Sequence, residues 1–418
     1  GCSMATNAKG ERNVKKAMAI DQRRRQRQML DRQRSERKDR VMLARMMGGE
    51  EEGEDERQAP AASPEGQADS KSKASRAHNR KQVDLDEDTW KGKMMMPDWM
   101  IEVPDELQNK WLVAPRPQGR RCLVLSSGGR TIARLRTGKV FKQFQSALPN
   151  GGVLANRQGR IGGHDTTILD CIFVDELNCF FICDVMCWKG HAVYDCSADF
   201  RLFWLQQKIS EDAAFAAQFH EHNNPFPLHI LPWYFCDMNG IESAYRTLSC
   251  PFVRDGLQFL HRESHYEIGL TPLMLLWKDM QCSTYLSESY PGLDPSVQVV
   301  CLRVMEDGAL TTSDDPAVVI TRAPDEQKQI IQTNSDKLAL FKIAGISITY
   351  PDNCNEMSVS GPPDVTVEAI EFFSPAAAKR ADADSLSKAL FQQALRTQPL
   401  SIEDIVNTAM AQVACCAP

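Results

Sequence analysis

The segment Arg116-Pro117-Gln118-Gly119-Arg120-Arg121 sets three guanidinium groups around one glycine. An arginine stays protonated at neutral pH and has no lone pair to offer, so this cluster cannot act as a nucleophile. Arginine can instead answer phosphate oxygens, because planar guanidinium forks make charge-assisted hydrogen bonds to them, and Arg120 and Arg121 are the two candidates for that role. Aromatic side chains supply the other half of a nucleotide site. Seven tryptophans are present. Trp111, Trp188 and Trp204 are assigned to the core, where large indoles mostly reside. Trp277 and Trp99 are open to either a core or a site reading, and Arg120 and Arg121 read either as solvated edge residues or as site residues. Metal chemistry is not indicated. The fourteen cysteines contain no Cys-x-x-Cys pair, and Cys179, Cys183 and Cys187 fall at even intervals in an apolar run, as small hydrophobes on one face of a strand. His220 and His222 beside Glu221 read as a solvated helix end rather than as ligands.

The order of these residues is that of a known frame. DNA ligases and mRNA capping enzymes carry Lys-x-Asp-Gly-x-Arg where this chain has Arg116 to Arg121, and their lysine attacks the α-phosphate. Leu169-Asp170-Cys171-Ile172 stands for their Leu-Asp-Gly-Glu, Phe180-Phe181-Ile182-Cys183-Asp184-Val185 for an apolar strand ending in aspartate, Asp255-Gly256-Leu257-Gln258-Phe259 for Glu-Gly-Leu-Ile-Phe, and Leu276-Trp277-Lys278 for the last Lys-x-Lys. The chain resembles a nucleotidyltransferase frame whose reactive groups are replaced while its glycines and apolar positions remain. The expectation is a binding protein and not an enzyme, with no cofactor; active nucleotidyl transfer is the disfavoured alternative.

A second resemblance is more specific. Asp98-Trp99-Met100-Ile101-Glu102-Val103-Pro104, Asp184-Val185-Met186-Cys187-Trp188-Lys189-Gly190-His191, Tyr194-Asp195-Cys196 and Asp199-Phe200-Arg201-Leu202-Phe203-Trp204 resemble the snurportin family of import adaptors for trimethylguanosine-capped small nuclear ribonucleoproteins. The likeness covers roughly residues 95 to 280. It implies an α+β, nucleotidyltransferase-like domain built on antiparallel sheet, with a cap pocket in which Trp277 stacks on the base, Trp99 lies near its methylated edge, and Arg121, Arg120 and Arg136 meet phosphates. Pro97 falls at a further contact position but has no side-chain donor. In the family form the stacking tryptophan comes one residue earlier after Thr-Pro-Leu than Trp277 does after Thr271-Pro272-Leu273. The resemblance also implies importin-β as partner, through Arg23, Arg24, Arg25, Arg27, Arg32, Arg34, Arg37, Lys38 and Arg40. It further implies capped small nuclear RNA as cargo, an export receptor whose usual leucine-rich contact is thin here, and shuttling between nucleus and cytoplasm. A cap-binding regulator of RNA metabolism that does not shuttle is the alternative.

The elements that must hold these residues follow from pattern. Residues 12 to 45 carry thirteen Arg or Lys against four Asp or Glu, in a chain whose net charge is −6. From Glu11 to Met47 there is no Gly or Pro, and strong helix formers dominate. Its apolar residues are too few to dock a helix on a core, which leaves a solvated tail, an importin-binding helix or an RNA-binding arm. Four segments result: a basic helix over 10–48, an acidic, flexible linker over 49–92, a cap-binding domain over 93–300 and a C-terminal extension of unknown role over 301–418. Strands are expected at Cys122 to Ser126, Thr131 to Arg136, Thr167 to Val174 and Cys179 to Met186, with Gly128-Gly129 as a tight hairpin turn. Helices are expected at Ser210 to His222 and Ile241 to Leu248, and at Leu386 to Leu395 and Ile405 to Val413 after a capping box at Ser401 and Asp404. The 42% apolar composition is enough for one real core. No apolar run is long enough to cross a membrane, and residues 1 to 30 lack a signal-peptide core.

Overall fold

A computed structural model describes residues 22–38, 87–152, 166–211, 225–246, 251–279, 294, 297–323, 337–349, 363–377, 380 and 382–414. The expected contact Arg40 and the expected helix end at His220 and His222 lie outside them.

Three sheets make the body, and the α+β class with antiparallel sheet is as expected. The first is built from β1 (Met95–Trp99), β2 (Trp111–Pro117), β10 (Tyr234–Phe235), β11 (Arg254–His261) and β12 (Gly269–Trp277), in the order β1-β12-β11-β2-β10. Only β1 and β12 run parallel in it, and their register shifts between Pro97 and Asp98. The second sheet runs β5 (Val140–Phe144), β4 (Arg130–Leu135), β3 (Arg120–Ser127), β6 (Thr167–Val174), β7 (Cys179–Trp188) and β8 (His191–Ala192), with β9 (Leu228–Ile230) parallel to β7. All four expected strands are found here. Gly128 and Gly129 turn β3 into β4 with φ of 59° and 85°, angles a Cβ would resist.

Cys179 and Cys183 are buried together with Phe181 on one face of β7. Cys187 does not share their cluster, because two bulges between β6 and β7 break the alternation that the even spacing assumed. Burial raises the Cys183 thiol to about 12, which keeps it a protonated, inert hydrophobe.

The helix expected at Ser210 to His222 lies, past Glu211, outside the described residues. Its first two residues end α4 (Ala198–Glu211), a helix set earlier in the chain. Its Arg201 is fully buried and forks onto Asp184 at 2.9 and 2.7 Å, while also donating to the carbonyls of Cys196 and Ser264. The aspartate that ends the apolar strand motif is therefore a structural anchor. Helix α5 (Met238–Arg246) matches expectation to within three residues.

The chain beyond 297 folds into a third sheet, which periodicity did not reveal. Strands β13 (Gln298–Val304), β14 (Ala309–Thr311), β15 (Val319–Arg322), β16 (Leu338–Thr349) and β17 (Asp364–Pro375) are antiparallel in the order β15-β14-β13-β16-β17. β15 and β17, the two edge strands, also contact each other, so the sheet is strongly curled. Val300, Leu302, Leu310, Phe341 and Ile346 belong to its core. Helices α6 (Leu386–Thr397) and α7 (Ile402–Ala414) follow. Ser401 and Asp404 exchange side chain-to-backbone hydrogen bonds at 3.0 Å, the expected capping box. Phe391 of α6 and Ile405 of α7 pack in one core with Trp277 and Trp111, so both helices dock as ordinary core elements.

Two further expectations change. Helix α2 (Glu87–Trp90) lies inside the segment read as linker and packs on the domain; Gly92 donates to Arg136 O and the backbone of Glu87 crowds Gly138. Residues 22–38 form helix α1, and it is docked. Polar contacts do what its few apolar residues could not. Gln22 donates to Trp99 O at 2.9 Å and Gln26 to Pro272 O at 3.2 Å, while Gln33 accepts from His265 N at 3.2 Å. Arg34 reaches Glu263 at 2.7 Å, Arg32 pairs with Glu267, and Arg23 lies 3.5 Å from Glu102 and 3.4 Å from Asp105.

Candidate functional site

A cavity of about 1430 Å³ opens between β1, β12, the ends of β2, β3 and β4, helix α1, and the chain from Arg380 to Leu390. Its cationic floor is set by strand alternation. Arg116 near the end of β2 and Arg121 at the start of β3 flank the turn through Gly119, whose Cβ would lie 2.3 Å from Phe173 O and 2.8 Å from an Ile172 methyl. Only glycine lets the turn approach β6 this closely, and Ile172, standing where the enzymes carry glutamate, fills that space.

Arg121 forks onto Asp170 of β6, with Nε to Oδ1 at 2.9 Å and Nη2 to Oδ2 at 2.6 Å. Tyr266 donates to the same Oδ2 at 2.6 Å. Burial opposes the arginine's charge, yet the pull and hydrogen bonds of Asp170 win and hold its pKa above the usual value. The third nitrogen, Nη1, is buried without a hydrogen-bond partner among the described residues. Arg116 Nε is in the same condition, 3.7 Å from Asp255 Oδ2; burial lowers its pKa against the pull of Asp255. Lys278, just past β12, donates to Asp255 at 2.6 Å, and burial with help from Arg116 depresses its pKa to about 8. A buried donor without a partner costs about 1–3 kcal/mol. Two of them in the wall of one cavity form a place for an anion.

The expected site residues divide. Trp99, Arg121, Arg136 and Pro97 all line the cavity. Trp99 is 8% exposed, its ring packed on Phe391 with centroids 4.8 Å apart. Arg136 lies 3.4 Å from Asp382, and burial lowers its pKa. Pro97 gives an apolar wall.

Trp277 does not line the cavity. It is fully buried, its indole N–H donates to Leu400 O at 3.0 Å, and its ring meets Tyr245 at 5.9 Å. Its neighbours Leu276 and Lys278 face the cavity instead, because adjacent strand residues point to opposite sides. The stacking assignment is therefore corrected: Trp277 is a core residue. Arg120 is corrected too. It pairs with Asp175 at the surface and lies 4.4 Å over Phe141, away from the cavity.

Of the basic helix, Arg24, Arg25 and Arg32 line the cavity, whereas Arg37 and Lys38 are exposed. Arg27 is exposed, 3.8 Å from Asp105. The reading from sequence missed Arg116 and Lys278 as site residues, although both were visible in the degenerate motifs. It also missed Arg380 and Lys388, which bracket Asp384 at the C-terminal wall; they lie in a segment with no motif.

Residues 93–279 match the family model of the Snurportin1 m3G cap-binding domain. This is the family expected from the Asp98-Trp99 and Val185-Met186-Cys187-Trp188 segments. Solved structures that overlap the chain include the ligase domain of M. tuberculosis LigD, 12% identical over 62% of this chain and 91% of that one with a TM-score of 0.30. The ATP-dependent DNA ligase of bacteriophage T7 with ATP is 10% identical over 69% and 100%, with a TM-score of 0.32. At such scores they add nothing to the family match.

Proposed function

We propose that the chain binds trimethylguanosine-capped RNA in this cavity and acts as a nuclear import adaptor. The observation that carries cap binding is a pair of buried guanidinium nitrogens, Arg121 Nη1 and Arg116 Nε, without a hydrogen-bond partner among the described residues, in the wall of a cavity that Trp99 also lines, within the segment matching a cap-binding domain. Typical small-molecule pockets measure about 300–1,000 Å³. This one has room for a base, its phosphates and the nucleotide that follows. Phosphates complete the two guanidinium forks, and the indole edge supplies an apolar wall for the methylated base. Nucleotide transfer is not part of the proposal: Arg116 stands at the nucleophile's position, and labelled GTP with a divalent metal ion should leave no covalent adduct. The direct test of cap binding is a calorimetric titration with trimethylguanosine-capped dinucleotide, using GTP as competitor; absence of heat with the capped ligand overturns it.

For transport, helix α1 recruits importin-β through its arginines and the protein shuttles between nucleus and cytoplasm. The charge excess of residues 12–45 supports this reading. A second reading, a cap-binding regulator of RNA metabolism without transport, draws support from Arg24, Arg25 and Arg32, which line the cavity. Deleting residues 10–47 separates the two. An adaptor loses nuclear delivery of its cargo and keeps cap affinity, whereas an arm that serves the RNA site loses affinity.

A further inference from the structure

Asp98 has no exposed surface, yet it is an aspartate on a strand that borders the cavity. Its Oδ1 accepts the Trp99 amide at 3.1 Å. Nη1 of Arg25 in helix α1 lies 2.7 Å from its Oδ2, a salt bridge. Arg25 lines the cavity and Asp98 does not. The guanidinium therefore caps the carboxylate from the cavity side. Asp314, in the turn after β14, completes the group. It accepts from Leu386 N at 2.7 Å, and its titration is pushed up by burial, eased by hydrogen bonds from Thr312 and Leu386, then pushed up by Asp98 and eased by Arg25, so the two carboxylates and the guanidinium share one field.

A buried carboxylate needs a cation or strong donors. The residue that answers Asp98 is not part of the domain around the cavity. It comes from a helix reached through the chain segment 39–86, held by polar contacts and by ion pairs that are partly exposed. Such pairs contribute little each and weaken with salt, so Arg25 is the replaceable partner. Trp99 and Pro97, the neighbours of Asp98 in the chain, line the same cavity.

We infer that Asp98 is the charge-reading residue of the cavity, and that Arg25 occupies, in the absence of ligand, the place taken by the cationic ring of an N7-methylated purine. This rests on the cap-binding reading above and adds to it the means of discrimination. Methylation at N7 puts a delocalised positive charge on the base, and a buried carboxylate favours that charge over the neutral ring, because a low local dielectric strengthens the attraction. Entry of the cationic base and docking of Arg25 then exclude each other.

The test compares two capped dinucleotides that differ in that charge alone: the trimethylated one, and one dimethylated on the exocyclic nitrogen but unmethylated at N7. Fluorescence titration of the full chain should show at least tenfold preference for the cationic ligand. Asp98→Asn, which keeps the acceptor for the Trp99 amide, should bring the two ligands to within about twofold, the size of an unresolved difference in free energy at RT. Arg25→Gln, whose amide can still donate to Asp98 and whose fold is checked by denaturant unfolding, should tighten the cationic ligand several-fold and leave the neutral one unchanged. An unaltered preference in Asp98→Asn, or weaker cationic binding in Arg25→Gln, overturns the inference while cap binding itself stands. Should Asp98→Asn fail to fold, Arg25→Gln decides alone. Wild-type protein that binds neither dinucleotide overturns the cap-binding reading.

Discussion

Arg121 and Asp170 are locked side by side on β3 and β6 by two hydrogen bonds, 2.9 and 2.6 Å long, with Tyr266 on the far oxygen. The lock fixes the plane of the guanidinium and leaves Nη1 without a hydrogen-bond partner among the described residues. Pre-organisation of this kind lowers the entropic cost of binding.

Arg121→Lys tests the lock. Lysine keeps the charge that Asp170 needs but offers no rigid fork. Affinity for a capped dinucleotide should fall by about 1–2 kcal/mol, the worth of a charge-assisted hydrogen bond, while affinity for the methylated nucleoside stays within error. Equal losses on the two ligands, read by titration, would remove Arg121 from the phosphates. Arg121→Ala is the poorer test, because a stranded Asp170 costs about 3–5 kcal/mol of stability.

Trp277 and Trp99 should separate cleanly. Trp277→Ala leaves a large cavity among Trp111, Tyr245 and Phe391, and should cost about 3–5 kcal/mol in denaturant unfolding. Trp277→Phe, less damaging, should retain cap affinity. Trp99→Leu keeps an apolar side chain against Phe391 and should weaken cap binding by about 1–3 kcal/mol. Normal cap binding in Trp99→Leu would exclude Trp99 from contact with the base.

The contrast between these tryptophans shows what could be read in advance. Trp99, Arg121, Arg136 and Pro97 meet at one cavity as their motifs implied. Trp277 fails by one residue: a strand turns successive side chains to opposite faces, so an offset of one after Thr271-Pro272-Leu273 sends the indole into the core and gives the cavity Leu276. Strands β3, β4, β6 and β7 were legible because they neighbour one another in sequence or carry unbroken apolar runs. The third sheet was not, since β13 finds its partner β16 only after some forty residues, and such pairing leaves no local period. The docking of α1 was hidden for a different reason. Glutamine amides and ion pairs hold it, and an argument from apolar content does not see them.

Lys278 carries a pH signature. Its folded pKa of about 8 lies below the free value of 10.5, so it is largely protonated at pH 7 and discharges as pH rises through 8. An anion nearby favours the protonated form and raises that pKa. Phosphate-bearing ligands should therefore bind with proton uptake near pH 8 and lose affinity from pH 7 to 9, more steeply than Lys278→Gln does. Folding shows the opposite sign. The cost of burying charged Lys278 is present below pH 8 and is relieved as pH climbs toward 10.5. Titrations in two buffers of different ionisation enthalpy would expose the uptake; identical heats in both would sink the assignment.

Docking of α1 should be salt-labile, and its release should be measurable without any partner. Arg23, Arg25, Arg32 and Arg34 face Glu102, Asp105, Asp98, Glu267 and Glu263, while the amides of Gln22, Gln26 and Gln33 add hydrogen bonds that salt does not screen. Raising ionic strength from 0.05 to about 1 M shortens the Debye length to about 3 Å and weakens the exposed pairs first. Hydrogen exchange over residues 22–38 should accelerate, and that over β3 and β7 should not. Replacing Arg23, Arg24 and Arg25 together by Glu sets like charges against Glu102, Asp105 and Asp98 and should undock the helix at low salt. If importin-β binds α1, the same variant should fail to bind it in a pull-down while still binding capped dinucleotide. Retained protection of residues 22–38 in the triple variant would show that the glutamine contacts alone hold the arm, and the charge-based account of docking would fall.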